Sequence, residues 1–378
     1  MLYWRLSGFY LFFFSSVGLL MPYWSAYLDS LGFSAQEIGI LMALAMATKI
    51  VSPNIWGWIA DKTGRRIRLV RWGSFAAALG FFGVFFDTTY GWLLFVMIVF
   101  NFFWNAVLPQ FEAITLSHLK DDSHRYSRIR LWGSVGFIVA VTLMGWALDV
   151  YGVSLLPAVL MVMLLGIWGV SLFVPECERK VHQEKSEPFF EILFNPAVIA
   201  LFAGCFLIQS SHGPYYTFFT IYLTDIGYSG QLIGQLWALG VVAEIGIFLV
   251  MARIVGYLGL RRLLLLSMVV TAVRWVLIGL YPDHLGTLLF AQILHAASFG
   301  MYHSAAIQLI HQYFSGSNQG RGQALYSSLG FGAGSAFGSL YSGYIWTVYG
   351  AMYSYFFAAF LACLAFLVAW CFVKELDR

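Results

Sequence analysis

Long apolar runs separated by short polar breaks make up almost all of this chain. The hydrocarbon core of a bilayer is about 30 Å thick and takes roughly 20 apolar residues per helix, and on that measure the runs predict about twelve spanning helices. Their approximate limits are 6 to 28, 36 to 58, 67 to 86, 91 to 116, 127 to 148, 153 to 174, 197 to 222, 231 to 254, 261 to 281, 285 to 313, 322 to 346 and 350 to 373. One sizeable polar stretch, Pro175 to Glu191, carries Glu176, Glu178, Arg179, Lys180, Glu184, Lys185 and Glu187 and divides six spans from six. It reads as a solvated linker. The expected organisation is therefore an N-terminal six-helix bundle over 1–174, a cytoplasmic linker over 175–196 and a C-terminal six-helix bundle over 197–378. The apolar run after Arg5 is too long for a signal peptide and lacks a small-residue cleavage site, so it stays as the first span.

Composition removes the soluble alternative. Of 378 residues, 60% are hydrophobic and 10% charged, with a mean hydropathy of +0.78, whereas an ordinary soluble domain carries about 25% charged residues. Lipid must cover most of the outer surface. The net charge of +3 is small and points to no nucleic-acid partner; its placement is more informative. Lys62, Arg65, Arg66, Arg68 and Arg71 lie between spans two and three, Lys120, Arg125 and Arg128 between four and five, and Arg261 and Arg262 between eight and nine, with Arg321, Lys374 and Arg378 on the same side. The opposite loops carry Asp29, Asp87, Asp149, Asp225 and Asp283 and no Lys or Arg. Because basic residues in short loops stay cytoplasmic, both termini are expected in the cytoplasm. Cys177, Cys205, Cys363 and Cys371 are scattered without metal-ligand spacing and read as packing residues.

The halves resemble each other. The segment from Tyr27 to Leu41 aligns without a gap on Tyr222 to Leu236, and the same register carries Lys49 onto Glu244, Gly64 onto Gly259 and Arg66 onto Arg261. After span two the chain reads Gly57-Trp-Ile-Ala-Asp61-Lys62-Thr-Gly64-Arg65-Arg66, which resembles the signature loop of the major facilitator superfamily. In it Gly64 permits a tight turn, and Asp61 can accept from a helix N-terminus or from an arginine across the interface between the halves. The resemblance implies twelve helices in two pseudosymmetric bundles, with a central cavity open alternately to each side.

Ionisable side chains inside a span are costly and are default candidates for a functional site. They are Lys49, Glu112, Arg130, Glu244, Arg274, His212, His295 and His303. Two acids against three fixed cations leave one positive charge over, which a bound anion could balance. Asn105 to Ala113 and Arg128 to Gly136 are similar to the fourth and fifth helices of lactose permease, which implies that Glu112 and Arg130 bind substrate; a purely structural ion pair is the alternative. Lactose-permease relatives also carry a Glu, an Arg and a His on the eighth to tenth helices, which implies a coupling role for Glu244, Arg274 and His295, although Ser298 stands where an acid is expected. A closer likeness is to the bacterial phenylpropionate permease branch, through Pro22-Tyr23-Trp24-Ser25, Arg130 to Val135, Gly240 to Glu244, Val273-Arg274-Trp275, Gln292 to His295 and His303. His295 and His303, eight residues apart, would lie about 80° apart around an α-helix, too far for shared metal ligation, and no metal or cofactor is expected.

The expected function is secondary transport, favoured as proton symport of a small organic anion such as an aromatic carboxylate across a bacterial inner membrane. Substrate binding falls to Glu112, Arg130, Lys49, Arg274, His295 and His303, proton coupling to Glu244, and gating to Gly57, Asp61, Gly64 and Arg65. Proton-coupled sugar or nucleoside uptake, efflux, and a sensor that no longer transports stay open. An enzyme is not expected, because the chain has no Walker loop, Gly-x-Ser-x-Gly elbow or His-Glu-x-x-His motif.

Overall fold

Lipid offers a backbone amide no partner, and apolar runs of about 20 residues meet that demand as helices, which bond within their own segment. In the computed structural model, which describes residues 2–119, 122–176 and 189–374, every regular element is helical. The first half contains α1 (Leu2–Ser30), α2 (Ala35–Thr63), α3 (Arg66–Phe82), α4 (Tyr90–Leu119), α5 (Ser123–Tyr151) and α6 (Leu156–Ser171). After a short helix, Phe189–Leu193, come α7 (Pro196–Ile226), α8 (Gly230–Leu258), α9 (Leu260–Leu280), α10 (Leu285–Tyr313), α11 (residues 319–349) and α12 (Ala351–Phe372). Among the described residues eleven of these are long and apolar enough to cross a membrane, α11 being the exception. The all-helical membrane architecture expected from the apolar runs is therefore borne out. Most of the linker charges, from Glu178 to Glu187, together with Cys177, Lys120 and Arg378, lie outside the described residues.

Three spans are not the uniform helices that the apolar runs suggest. α7 stops at Ser211 and restarts at Gly213, with Pro214, which has no amide hydrogen to donate, just beyond the break. α10 contains a π-turn over Ala296–Met301, and α11 one over Ser327–Gly334. The second π-turn coincides with the run Gly330, Gly332, Gly334, where helix propensity is lowest. The same glycines bring α11 against α7. A Cβ at Gly334 would stand 2.8 Å from the Phe206 carbonyl oxygen, and one at Gly213 2.3 Å from that of Gly338.

By its contacts the chain divides into two compact units, Met1–Val181 with Gly227–Ala238, and His182–Ile226 with Leu239–Arg378. In the first, α1 crosses α5 where a Cβ at Gly136 would lie 2.3 Å from the Leu11 carbonyl oxygen, so only glycine fits. The internal repeat appears at the level of whole helices. α2 and α8 are each 29 residues long, and both their first and last residues are offset by 195 (230 − 35 and 258 − 63).

Beyond α2 that register weakens. Arg71 donates to the carbonyls of Ser171, Leu172 and Val174 at the end of α6, and Arg261 to those of Trp370 and Val373 at the end of α12. Both neutralise the negative end of a helix. Functionally Arg261 thus matches Arg71, not the Arg66 that the ungapped alignment puts on it.

Candidate functional site

The loop after α2 is held by its own residues. Gly64 takes φ +65°, a left-handed conformation, and closes α2 with its amide on the Ala60 carbonyl. Asp61, 71% exposed, pairs with Arg66 at 2.5 Å, and Arg66 also donates to Gln110 on α4 at 2.8 Å. The sequence leaves Asp61 a helix N-terminus or an arginine across the halves as partner; within the first unit it pairs with Arg66, the first residue of α3, which the left-handed turn at Gly64 folds back onto it. Gly57 faces Gln110 from α2, and Arg65 is exposed.

Deeper in the first unit, Lys49 sits at the midpoint of α2, with fourteen residues on each side. Among the described residues it has no hydrogen-bond or ion-pair partner. Its neighbour Thr48 accepts a hydrogen bond from Asn105 on α4 at 2.8 Å. Glu112 lies seven residues beyond Asn105, about 10 Å along the helix.

Glu112 is also seven residues from the end of α4, and Arg130 seven from the start of α5, so the two meet at matched depth, Oε1 to Nε 3.8 Å. That distance is a charge contact rather than a hydrogen bond. Each side chain keeps about a third of its surface open, 35% and 34%. The Arg130 guanidinium lies 3.9 Å from the centre of the Phe14 ring, a cation–π contact. Gly133 makes this possible, because a Cβ there would be 2.7 Å from Phe14 and 2.9 Å from Arg130. Phe14 was not singled out in the sequence; the glycine one turn beyond Arg130 was the available signal.

In the second unit the charged groups are tied together. Arg274, 0% exposed, donates from Nε to the Ala291 carbonyl (2.9 Å), from Nη1 to His295 Nδ1 (3.1 Å) and Ser298 Oγ (3.2 Å), and from Nη2 to Gln292 Oε1 (3.1 Å). Its plane lies against Tyr215 and Trp275, 4.2 and 4.6 Å from their ring centres. Since a guanidinium can only donate, His295 Nδ1 must accept. A neutral His295 then carries its proton on Nε2, which stands 3.9 Å from Glu244 Oε2. Glu244 is itself the midpoint of α8, fourteen residues from either end. Glycines flank the pair: a Cβ at Gly240 would be 3.3 Å from His295, and one at Gly300 3.2 Å from Glu244.

These contacts change the expected roles. Arg274 was expected to meet substrate, but its guanidinium is enclosed and already engaged by four acceptors. His212 is also fully buried, its Nδ1 2.8 Å from the Ile208 carbonyl at the break in α7. His295 and His303 share a row instead of diverging, because the π-turn makes four residues fall short of a full turn where an α-helix overshoots. Phe299 lies between them, with ring planes 5° from His295 and 1° from His303. His303 Nδ1 lies 2.8 Å from the Tyr326 hydroxyl. Tyr215, Phe299, Tyr326 and Phe331 touch Arg274, His295 or His303, and ring-rich spans give no means in the sequence of telling such rings from lipid-facing ones.

A family model described as "MFS_1 like family" matches residues 3–357. The chain is 29% identical over 351 residues to a "Probable 3-phenylpropionic acid transporter" of Escherichia coli (strain K12), covering 92% of each. It is 28% identical to a "Maltose permease" of Geobacillus stearothermophilus, covering 92% of this chain and 89% of that one. A crystal structure of the nucleoside transporter NupG superposes with a TM-score of 0.87 at 16% identity, covering 99% of both chains, which shows a shared fold.

Proposed function

We propose that this chain, which belongs to the MFS_1 like family and is a secondary transporter of the major facilitator type, couples proton entry to uptake of a small organic anion such as an aromatic carboxylate. The observation that carries the reading is Lys49, a cation at the centre of a spanning helix with no partner among the described residues. A charge at that depth costs about 2.5 to 3.5 kcal/mol on insertion scales. A carboxylate arriving as solute would offset it. Glu112 and Arg130, each about a third open and only loosely paired, supply further polar contacts to the solute, and His303 one more. Glu244 carries the proton, exchanging it beside the Nε2–H of His295. The name of the Escherichia coli relative supports an aryl acid as the solute. In this reading the basic loop ends face the cytoplasm of a bacterial inner membrane.

A second reading, uptake of a neutral sugar or nucleoside, is favoured by the partial exposure of both Glu112 and Arg130, since a carboxylate and a guanidinium held apart offer acceptors and donors to hydroxyls. Proteoliposomes with an imposed pH gradient, acid outside, separate the two. Wild-type protein should accumulate labelled 3-phenylpropionate, a protonophore should abolish this, and Lys49→Met should bind no acid while remaining folded. Accumulation of maltose or a nucleoside in place of any acid would reject the anion reading.

A further inference from the structure

Two adjacent spans of the second unit each open into a π-turn, and the rings carried on or beside those turns touch one another. Phe299 and His303 on α10 have centres 5.9 Å apart and planes 1° apart. Phe331, on the π-turn of α11, stands edge-on to both, at 6.2 Å and 71° from Phe299 and at 5.8 Å and 71° from His303. Tyr326 closes the group, 5.6 Å and 88° from Phe331, and its hydroxyl meets His303. Tyr326 is buried, whereas Phe299, His303 and Phe331 keep part of their surface open.

Helical spacing separates that open surface from the exposed apolar residues of the same two helices. On α11, Leu329 lines an apolar groove with Phe194, Ile199, Phe202 and Phe206. Phe331, two residues further, lies on the far side of the helix from it. On α10 the exposed apolar residues are Leu289, Phe290 and Ile293. The row His295–Phe299–His303 starts instead at the Arg274 and Glu244 contacts. Side chains meant only to fill a core would be fully covered; these three are not, and π-turns are frequent at functional sites.

We infer that Phe299, His303, Tyr326 and Phe331 form a subsite for the planar aromatic ring of the transported solute. The inference rests on the transport reading and adds to it a criterion for choosing solutes. Two parallel rings with a third standing perpendicular offer an entering ring both edge and face contacts, the geometries that aromatic pairs prefer. A saturated ring of the same size fills the space without those contacts. The His303–Tyr326 hydrogen bond holds the imidazole in place between the two turns.

The test is calorimetric binding to the full chain in nanodiscs with three ligands: 3-phenylpropionate, 3-cyclohexylpropionate and 3-phenylpropan-1-ol. Wild type should bind the phenyl acid about tenfold more tightly than the cyclohexyl acid. In Phe331→Leu and Phe299→Leu that preference should fall to about twofold or less. Equal binding of the two acids by wild type, or a preference that survives in both variants, overturns the subsite, as does failure of all three ligands to bind. If the alcohol binds as tightly as the phenyl acid, the anion reading fails while the ring subsite stands. An aryl-diazirine acid crosslinked to wild-type protein makes the result independent of variant folding. Adducts should map to residues 295–303 and 326–331, and adducts confined elsewhere reject the proposal.

Discussion

Replacing Arg274 by lysine keeps the charge and removes the fork. The guanidinium reaches four acceptors spread over two turns of α10, the Ala291 carbonyl, Gln292 Oε1, His295 Nδ1 and Ser298 Oγ, with all four distances between 2.9 and 3.2 Å. Lysine has three donors on one nitrogen, and from the same backbone position it can serve two of these acceptors at most. Hydrogen bonds to a charged group contribute about 1.5 to 3 kcal/mol each. Losing two, and the contact between the guanidinium plane and Tyr215, should cost about 3 to 6 kcal/mol; relaxation of the freed side chains reduces this to an expected 3 kcal/mol or so. The measurement is unfolding of purified protein in bicelles by titrated SDS, followed by tryptophan fluorescence, since Trp275 packs against the same guanidinium. Arg65→Lys, at an exposed position, serves as the control and should be neutral. A loss below about 1 kcal/mol for Arg274→Lys would refute the account of Arg274 as the group that holds α9 to α10.

Glu244→Gln should leave downhill exchange of solute intact and abolish accumulation against a gradient, measured in proteoliposomes with and without an imposed pH difference. Full accumulation in that variant would remove Glu244 as the proton carrier and move attention to Glu112 or His295. Asp149 caps the start of α8 with both carboxylate oxygens, accepting from the amides of Gly230 and Gln231 at 2.7 and 2.8 Å. Asp149→Ala should therefore lower stability by about 1 to 2 kcal/mol in the same SDS titration, and an unchanged midpoint would show that water replaces the cap at no cost.

The parts of this protein that were legible in the sequence are those that the bilayer enforces. Spans could be counted because lipid offers no partner to a bare amide, so each crossing needs its own apolar run. The repeat was legible because α2 and α8 had kept their length and offset, which is also why Lys49 and Glu244 could be recognised as equivalent and prove to be the midpoints of their helices. What stayed hidden was everything that depends on helical phase. The 80° separation expected for His295 and His303 assumed 3.6 residues per turn throughout; one π-turn undoes it and lines the two rings up with Phe299 between them. Partner choice was hidden as well. Asp61 has both Arg65 and Arg66 within reach along the chain, and only the left-handed turn at Gly64 decides for Arg66. Arg274 and Lys49 look alike as intramembrane cations in the sequence, yet one is enclosed by four acceptors and the other has none among the described residues. That difference follows from Gln292, His295 and Ser298 sitting one after another on the facing helix. Sequence spacing can suggest such an arrangement, but it becomes a network only where α9 and α10 are in contact.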